Sequence, residues 1–340
     1  MNRRMVIVIG GGFAGIAAAV ALTKAGHAVR LVEARGRLGG RAATLIDRTT
    51  GEPVDNGQHV LFGCYRETLA LVDDLGRRDA LTVQPALHVP FIGPDGVRRD
   101  LRCADLPAPF NLAAGLMRWS ALDMRDRAAA VRLALAVRLG RGLPRPDETV
   151  DDWLARMGQT RRIRGWLWDP LAIAALNEPP GSAAAEMFTP VLRELLTGGR
   201  RSASLALPRV PLGELYAEPA QRYLAARGSS VHLGRPARVT VDRGRLIVRA
   251  GDARWPARAV IAAVPWHTFG ALFEPAVPEA LASIAASAAA MRPVPIVTVN
   301  IWYDRPVLDM PFVGLVGRTA QWVFDRAALV GRASSHVSVI

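Results

Sequence analysis

Cysteine is nearly missing from the 340 residues: Cys64 and Cys103 are the only two. They are too few for a disulfide framework and stand in no metal-ligand spacing, so a reducing cytoplasm is the compartment that fits. Lysine is scarcer still. Lys24 is alone, so the net charge of +13, from 43 basic and 30 acidic residues, is carried almost entirely by arginine. Such a balance usually indicates an anionic partner, yet these arginines are scattered and aromatics, at 6%, do not interleave with a basic run. Nucleic acid is excluded as a partner on those grounds. Long apolar runs are also lacking, because Arg, Asp or Glu interrupts each Ala/Leu/Val stretch before the ~20 residues that a spanning helix needs. The six histidines, His27, His59, His88, His232, His267 and His336, show no H-E-x-x-H or paired spacing, and no serine sits in a G-x-S-x-G elbow. Metal catalysis and serine hydrolysis therefore lack support, and no metal is expected. Arg3 and Arg4 before an apolar stretch imitate a secretory signal, but three glycines, Gly10 to Gly12, stand where its apolar helix should be.

What is present is half hydrophobic, and at ~150 residues per domain its length predicts two domains, or one large two-lobed fold, with a sizeable core. Met5 to Ile9 reads as a buried parallel strand that runs straight into Gly10-Gly11-Gly12-Phe13-Ala14-Gly15, a G-x-G-x-x-G pattern. Ile16 to Ala25 follows as a helix, Gly26 ends it, and Ala28 to Val32 is a second strand closing on Glu33. This is a complete βαβ unit. Gly10 allows the tight turn, Gly12 lets backbone amides approach a pyrophosphate, and Gly15 permits close helix-on-strand packing. Glu33 at the strand end can accept from both hydroxyls of an adenosine ribose and would repel a 2′-phosphate. The stretch Glu33-Ala34-Arg35-Gly36-Arg37-Leu38-Gly39-Gly40-Arg41 then places arginines around a diglycine, where a guanidinium can reach the pyrophosphate.

That last stretch resembles the R-x-G-G-R motif of the flavin amine oxidase and phytoene desaturase superfamily, which implies FAD rather than NAD. Asp55-Asn56-Gly57-Gln58-His59 with Gly63-Cys64-Tyr65 is similar to the version found in hydroxysqualene dehydroxylases. Trp168-Asp169-Pro170-Leu171, Ala175-Leu176-Asn177, Pro208-Arg209-Val210-Pro211-Leu212 and Ala263-Val264-Pro265-Trp266 extend the likeness along the chain. The resemblance implies an α/β fold: a Rossmann-like FAD-binding domain, with a central parallel sheet and a β-meander, plus an α+β substrate domain, both discontinuous. The expected partition is 1–75 and 225–270 for the first, 76–224 and 271–340 for the second. Expected cofactor contacts are Gly10, Gly12, Phe13, Ala14, Gly15, Glu33, Ala34, Arg35, Gly39, Gly40 and Arg41. The likeness adds Gly57, Gln58 and His59 beneath the flavin, and the backbone near Ala237 or Val239 against adenine. It also implies a further carboxy-terminal strand and helix contacting the flavin, which this sequence lacks, so the chain is expected to be truncated.

The implied reaction is reductive removal of a hydroxyl from hydroxysqualene, giving squalene, a step of hopanoid-type isoprenoid synthesis. It needs a proton donor and a dry cavity. His59 is the candidate donor or flavin-side hydrogen-bonding group, with a purely structural role as the alternative. Oxidation of an isoprenoid by a phytoene-desaturase-like enzyme stays open, as does a non-catalytic prenyl-lipid carrier. An amine oxidase would need an aromatic cage, for which four tyrosines offer no obvious pair. Arginine and apolar residues alternate at helical intervals over Leu112 to Leu143, with Arg118, Arg125, Arg127, Arg132 and Arg138. That pattern fits either an ordinary solvated helix or peripheral contact with the inner face of the cytoplasmic membrane. Residues 84–102, around Pro94-Asp95-Gly96, predict a hairpin.

Overall fold

The computed structural model describes residues 5–331 and 335–340. Arg3 and Arg4 lie outside the described residues. The chain divides into two compact units. The first holds the chain up to Asn56 with Thr68–Ala80 and Val210–Pro293; the second holds Gly57–Glu67, Leu81–Arg209 and Val294–Ile340. Relative to the expected partition, 57–67 group with the second unit, and 76–80, 210–224 and 271–293 with the first. Two bonding patterns account for the last two differences. Leu212 and Gly213 are fastened to Asp55 and Thr44, and Phe273–Glu274 pairs with the meander.

In the first unit, Val6–Ile9 is an unbroken apolar β-branched run, suited to a strand covered on both faces. It forms β1, flanked in parallel by β2 (Val29–Val32) and by Ala259–Ala262, with Ser230–His232 beyond β2. The crossover is α1 (Phe13–Lys24), which buries Ile16, Ala19 and Val20. Ala237–Asp242, Arg245–Ala250 and Ala253–Ala257 form the antiparallel meander. Its first turn, Arg243-Gly244, has φ of 49° and 76°, the paired left-handed residues that a two-residue hairpin favours. Ile7, Ile9 and Val32 pack with Val239, Val248 and Leu272, joining the two sheets. The expected α/β architecture is present.

The second unit carries a six-stranded mixed sheet in the order Val299–Trp302, His336–Val339, Trp322–Asp325, Phe312–Leu315, His88–Ile92, Arg98–Arg102. The last two strands are the expected hairpin, turning at Pro94-Asp95-Gly96. Phe91 is central to its packing, with ring centroids 5.5 Å from Trp119 and 5.8 Å from Trp322. The expected helical run from Leu112 is two helices, Phe110–Arg118 and Met124–Arg138. The break is local chemistry. Asp123 accepts from the Asp126 amide at 2.9 Å while the Asp126 carboxylate accepts from the Asp123 amide at 3.0 Å, a reciprocal capping box. Trp119, between the helices, is buried and donates its indole N–H to the Arg99 carbonyl at 3.1 Å.

Met124–Arg138 has apolar residues on two faces. Ala129, Ala130, Leu133 and Val137 are buried, whereas Leu135 is 52% exposed. Leu133→Ala should therefore cost about 2–5 kcal/mol in a denaturant melt, while Leu135→Ala should stay within about 0.5 kcal/mol. Equal losses would contradict this division of faces.

Candidate functional site

β1 ends where two glycine-rich backbones meet. Gly10, at φ 105°, lies under the carbonyl of Ala263, which would be 2.2 Å from a Cβ there. A Cβ on Gly15 would lie 1.8 Å from the Gly10 carbonyl oxygen, so Gly15 is required for α1 to seat on the strand. The Gly39 amide donates to the Gly11 carbonyl at 2.8 Å, and a Cβ on Gly40 would stand 2.9 Å from the Gly12 Cα. The fingerprint loop and the diglycine loop thus touch backbone to backbone. Gly12 differs from its neighbours. Its φ of −75° suits any residue, and a Cβ on it would meet only the Gly40 Cα at 3.8 Å. No packing demand explains glycine there, and the open space lies beside the start of α1, which has no side-chain cap and no acid in its first turn. Uncapped amides at a helix N-terminus facing open space are what a pyrophosphate fits. Phe13 and Ala14 belong to that first turn.

Glu33 is oriented by backbone. One carboxylate oxygen accepts from the Gly11 amide at 2.6 Å and the other from the Arg35 amide at 2.8 Å, and each keeps a further acceptor site. Ala34 and Arg35 are exposed beside it. The Arg41 guanidinium lies 5.5 Å from the centre of the Trp266 ring, a cation–π contact that joins two segments noted separately in the sequence.

Two anchors hold the diglycine loop and were not singled out from sequence. Tyr216 is buried and donates to the carbonyls of Ala42 at 2.7 Å and Gly39 at 3.0 Å; burial pushes its hydroxyl up. Its ring packs on Phe13, with centroids 4.9 Å apart. Asp55, also buried, accepts from the Thr44 hydroxyl at 2.7 Å and the Leu212 amide at 2.9 Å, and Thr44 accepts from the Gly213 amide at 2.7 Å. The signals were the Asp of D-N-G and the P-R-V-P-L segment, whose mutual bonding no spacing rule reveals.

Ala237 and Val239 lie on the first meander strand. Counted from the two-residue turn, both fall at positions that point amide and carbonyl away from the Arg245–Ala250 strand. Phe273 pairs beside Val239, and the short Phe273–Glu274 strand does not extend to Ala237.

Gly57, Gln58 and His59 belong to the second unit. Gln58 accepts at Oε1 from the buried Arg326 guanidinium. His59 Nδ1 lies 3.0 Å from the Gly57 carbonyl. A carbonyl only accepts, so Nδ1 carries the proton and Nε2 of the neutral ring is an acceptor. Asp169 stands in the Trp168-Asp169-Pro170-Leu171 segment but was not among the expected site residues. It follows the π-helical turn Arg164–Trp168, one of its carboxylate oxygens is buried without a hydrogen-bond partner, and burial pushes the carboxyl up.

A family model described as flavin containing amine oxidoreductase matches residues 13–329. The chain belongs to this family. It is an FAD-dependent oxidoreductase, and the first unit carries residues that fit the cofactor's pyrophosphate and ribose. It is 27% identical to a hydroxysqualene dehydroxylase of Rhodopseudomonas palustris, over 94% of this chain and 73% of that one. A zeta-carotene desaturase of Synechocystis is 30% identical over 67% of this chain and 48% of that one. Among solved structures, an oxidoreductase from Methanosarcina mazei superposes with a TM-score of 0.72 at 17% identity, covering 98% of this chain and 78% of that one. A putrescine oxidase bound to putrescine gives 0.69 at 20%, covering 99% and 75%. At these identities the two structures establish the fold alone.

The Tyr216 anchor makes a direct prediction. Tyr216→Phe keeps the ring but strips a donor from two carbonyls, so the melt should show a loss of about 1–3 kcal/mol. A melt identical to the parent would show that the diglycine loop does not depend on this hydroxyl.

Proposed function

We propose that the protein removes a hydroxyl reductively from a C30 isoprenoid, converting hydroxysqualene to squalene. The observation that carries this reading is similarity to hydroxysqualene dehydroxylases along 94% of the chain, against 67% for the desaturase. In this reading the first unit is the cofactor domain. The α1 amides, Gly12 and Arg41 hold the pyrophosphate, Glu33 takes the adenosine ribose hydroxyls, and the edge near Ala237 meets adenine. Gly57, Gln58 and His59 serve the flavin side, and the remainder of the second unit receives the isoprenoid. Reduced flavin, when bound, supplies the hydride equivalent.

Replacing C–OH by C–H consumes one hydride and one proton and releases water, so the chain must present an acid. His59 donates from Nε2 only as an imidazolium, because its Nδ1 proton is committed to Gly57. Asp169 is the better acid. A carboxyl pushed up by burial keeps its proton to higher pH than an ordinary one, and because its acid form is neutral no cation has to stand beside the apolar substrate before the step. Because the substrate partitions into lipid, peripheral contact with the cytoplasmic face of the membrane belongs to the same reading. Among the described residues, no helix is long and apolar enough to cross a bilayer.

Reconstitution with FAD tests the cofactor assignment. Gly12→Ala should melt as the parent does yet retain at least about tenfold less flavin, followed at about 450 nm, since only ligand approach is obstructed. Gly15→Ala should lose stability outright. The reverse pattern would remove the pyrophosphate assignment.

Turnover tests the chemistry. Reduced enzyme should form squalene from hydroxysqualene, and formation of a desaturated product by oxidised enzyme would favour the carotenoid-type reaction instead. Asp169→Asn should lower kcat by about 10²-fold or more and abolish the alkaline limb of the parent's pH profile, while His59→Ala should act less. An unchanged kcat in Asp169→Asn would eliminate that acid.

A further inference from the structure

The two helices Phe110–Arg118 and Met124–Arg138 each turn apolar side chains in two opposite directions. Their inward faces are accounted for. Asn111 and Gly115 seat the first helix, with Gly115 so close to Cys103 that a Cβ would lie 2.6 Å from its sulfur, and Ala129, Ala130, Leu133 and Val137 seat the second. Outward, Phe110 and Met117 are exposed on the first helix, and Met124, Ala128, Val131 and Leu135 on the second. The spacing of the second set, in steps of four, three and four, places it on one stripe opposite the buried face. Leu139, just past the helix end, continues it and is 64% exposed.

Within the two helices the exposed charge has one sign, and the exposed acid at the N-cap, Asp123, is matched by Arg162 at 3.8 Å. Arg118, Arg125, Arg127, Arg132 and Arg138 are the cations of the two helices, and none makes an ion pair with a described residue; Arg127 and Arg138 donate to the carbonyls of Trp119 and Leu196, which leaves Arg118, Arg125 and Arg132 as the cations for an outside anion. The lone acid within the two helices is Asp126, which is 1% exposed and engaged by Asp123 and the Thr160 hydroxyl. The outward surface of both helices therefore carries no negative charge. On Met124–Arg138, Arg125 and Arg132 flank the stripe on one side and Arg127 and Arg138 on the other, as successive residues at ~100° require.

We infer that this face docks on an anionic phospholipid bilayer, lying in the interface plane with the apolar stripe among the acyl chain boundaries and the arginines on the lipid phosphates. An apolar stripe bordered by cations is the pattern that interfacial helices use. At ~1.5 Å per residue the longer helix reaches about 22 Å, a length for lying on a bilayer rather than crossing it. A second copy of the chain suits the face poorly. A two-fold contact would oppose the same patch on each subunit, arginine against arginine with no exposed acid within either helix and the N-cap Asp123 already matched by Arg162. The inference deepens the membrane contact in the isoprenoid reading, and its test uses neither substrate nor flavin, so each can fail without the other.

The full chain is mixed with phosphatidylcholine vesicles, alone or with about a third phosphatidylglycerol, and floated on a density gradient. It should float with the anionic vesicles, weakly with the neutral ones, and progressively less as salt rises. Val131→Glu/Leu135→Glu changes only exposed positions and should weaken vesicle binding at least tenfold with an unchanged melt. Arg125→Gln/Arg132→Gln should cost about fivefold per charge removed. No flotation with anionic vesicles, or equal binding by parent and both variants, would overturn the inference. So would a dimer of the parent that Val131→Glu/Leu135→Glu converts to monomer without loss of lipid binding, because the stripe would then belong to a second copy.

Discussion

The first unit depends on two backbones passing at van der Waals distance, Gly12 against Gly40, with the Gly39 amide bonded to the Gly11 carbonyl. A side chain on Gly40 would hold these loops apart. Once they touch, the rest of the site follows: Glu33 is turned by the Gly11 amide, Gly39 and Ala42 come within reach of the Tyr216 hydroxyl, and Arg41 is carried over Trp266. The glycines divide by role. Gly10, Gly15 and Gly40 are demanded by neighbouring protein atoms, so the fold itself selects them. Gly12 is demanded by nothing within the protein, which marks the place where the chain leaves room for something else.

The second unit is organised by a different constraint. Its core is built from large aromatics, Trp119, Trp153 and Phe188 among them, that are buried together with Leu133, Leu154 and Leu192. Trp119 and Trp153 give their indole N–H groups to backbone carbonyls, so these rings are buried without an orphaned donor. That core is complete without the outward stripe of Met124–Arg138. Apolar side chains that contribute nothing to the core and cost solubility need a reason elsewhere, and the arginines beside them, none offset by an acid among the described residues, supply its chemistry.

The parts of the fold legible in the sequence were those where one local rule governs. The βαβ unit followed from a β-branched run, a glycine pattern and an acid at strand end, and the hairpin from Pro94-Asp95-Gly96. Where two rules compete, the sequence misleads. Between Arg118 and Arg125 the residues 119–123 keep apolar side chains at Trp119, Ala121 and Leu122, so the helical pattern reads on, but the capping chemistry of Asp123 with Asp126 outweighs periodicity and starts a new helix. The anchors of the site were illegible for another reason. Tyr216 lies 177 residues from Gly39, and Leu212 lies 157 from Asp55. Such pairings are properties of the folded chain, and no window of sequence contains both partners.

The acid in the proposed reaction shows the same limit. An imidazole near a flavin-type motif is the natural choice from sequence, since histidine is the side chain that titrates near neutrality. The folded chain commits one ring nitrogen of His59 to the Gly57 carbonyl, which makes the other a base in the neutral ring. A carboxyl is the unexpected choice, because an ordinary aspartate has lost its proton well below neutral pH. Asp169 is not ordinary: one oxygen is buried with no donor to satisfy it, and burial disfavours its anion. A group whose charged form is poorly solvated by its own protein favours the protonated state, and an apolar substrate excluding more water would push the balance further the same way. In the proposed dehydroxylation, that unsatisfied buried oxygen is the reason for assigning the proton to Asp169 rather than to His59.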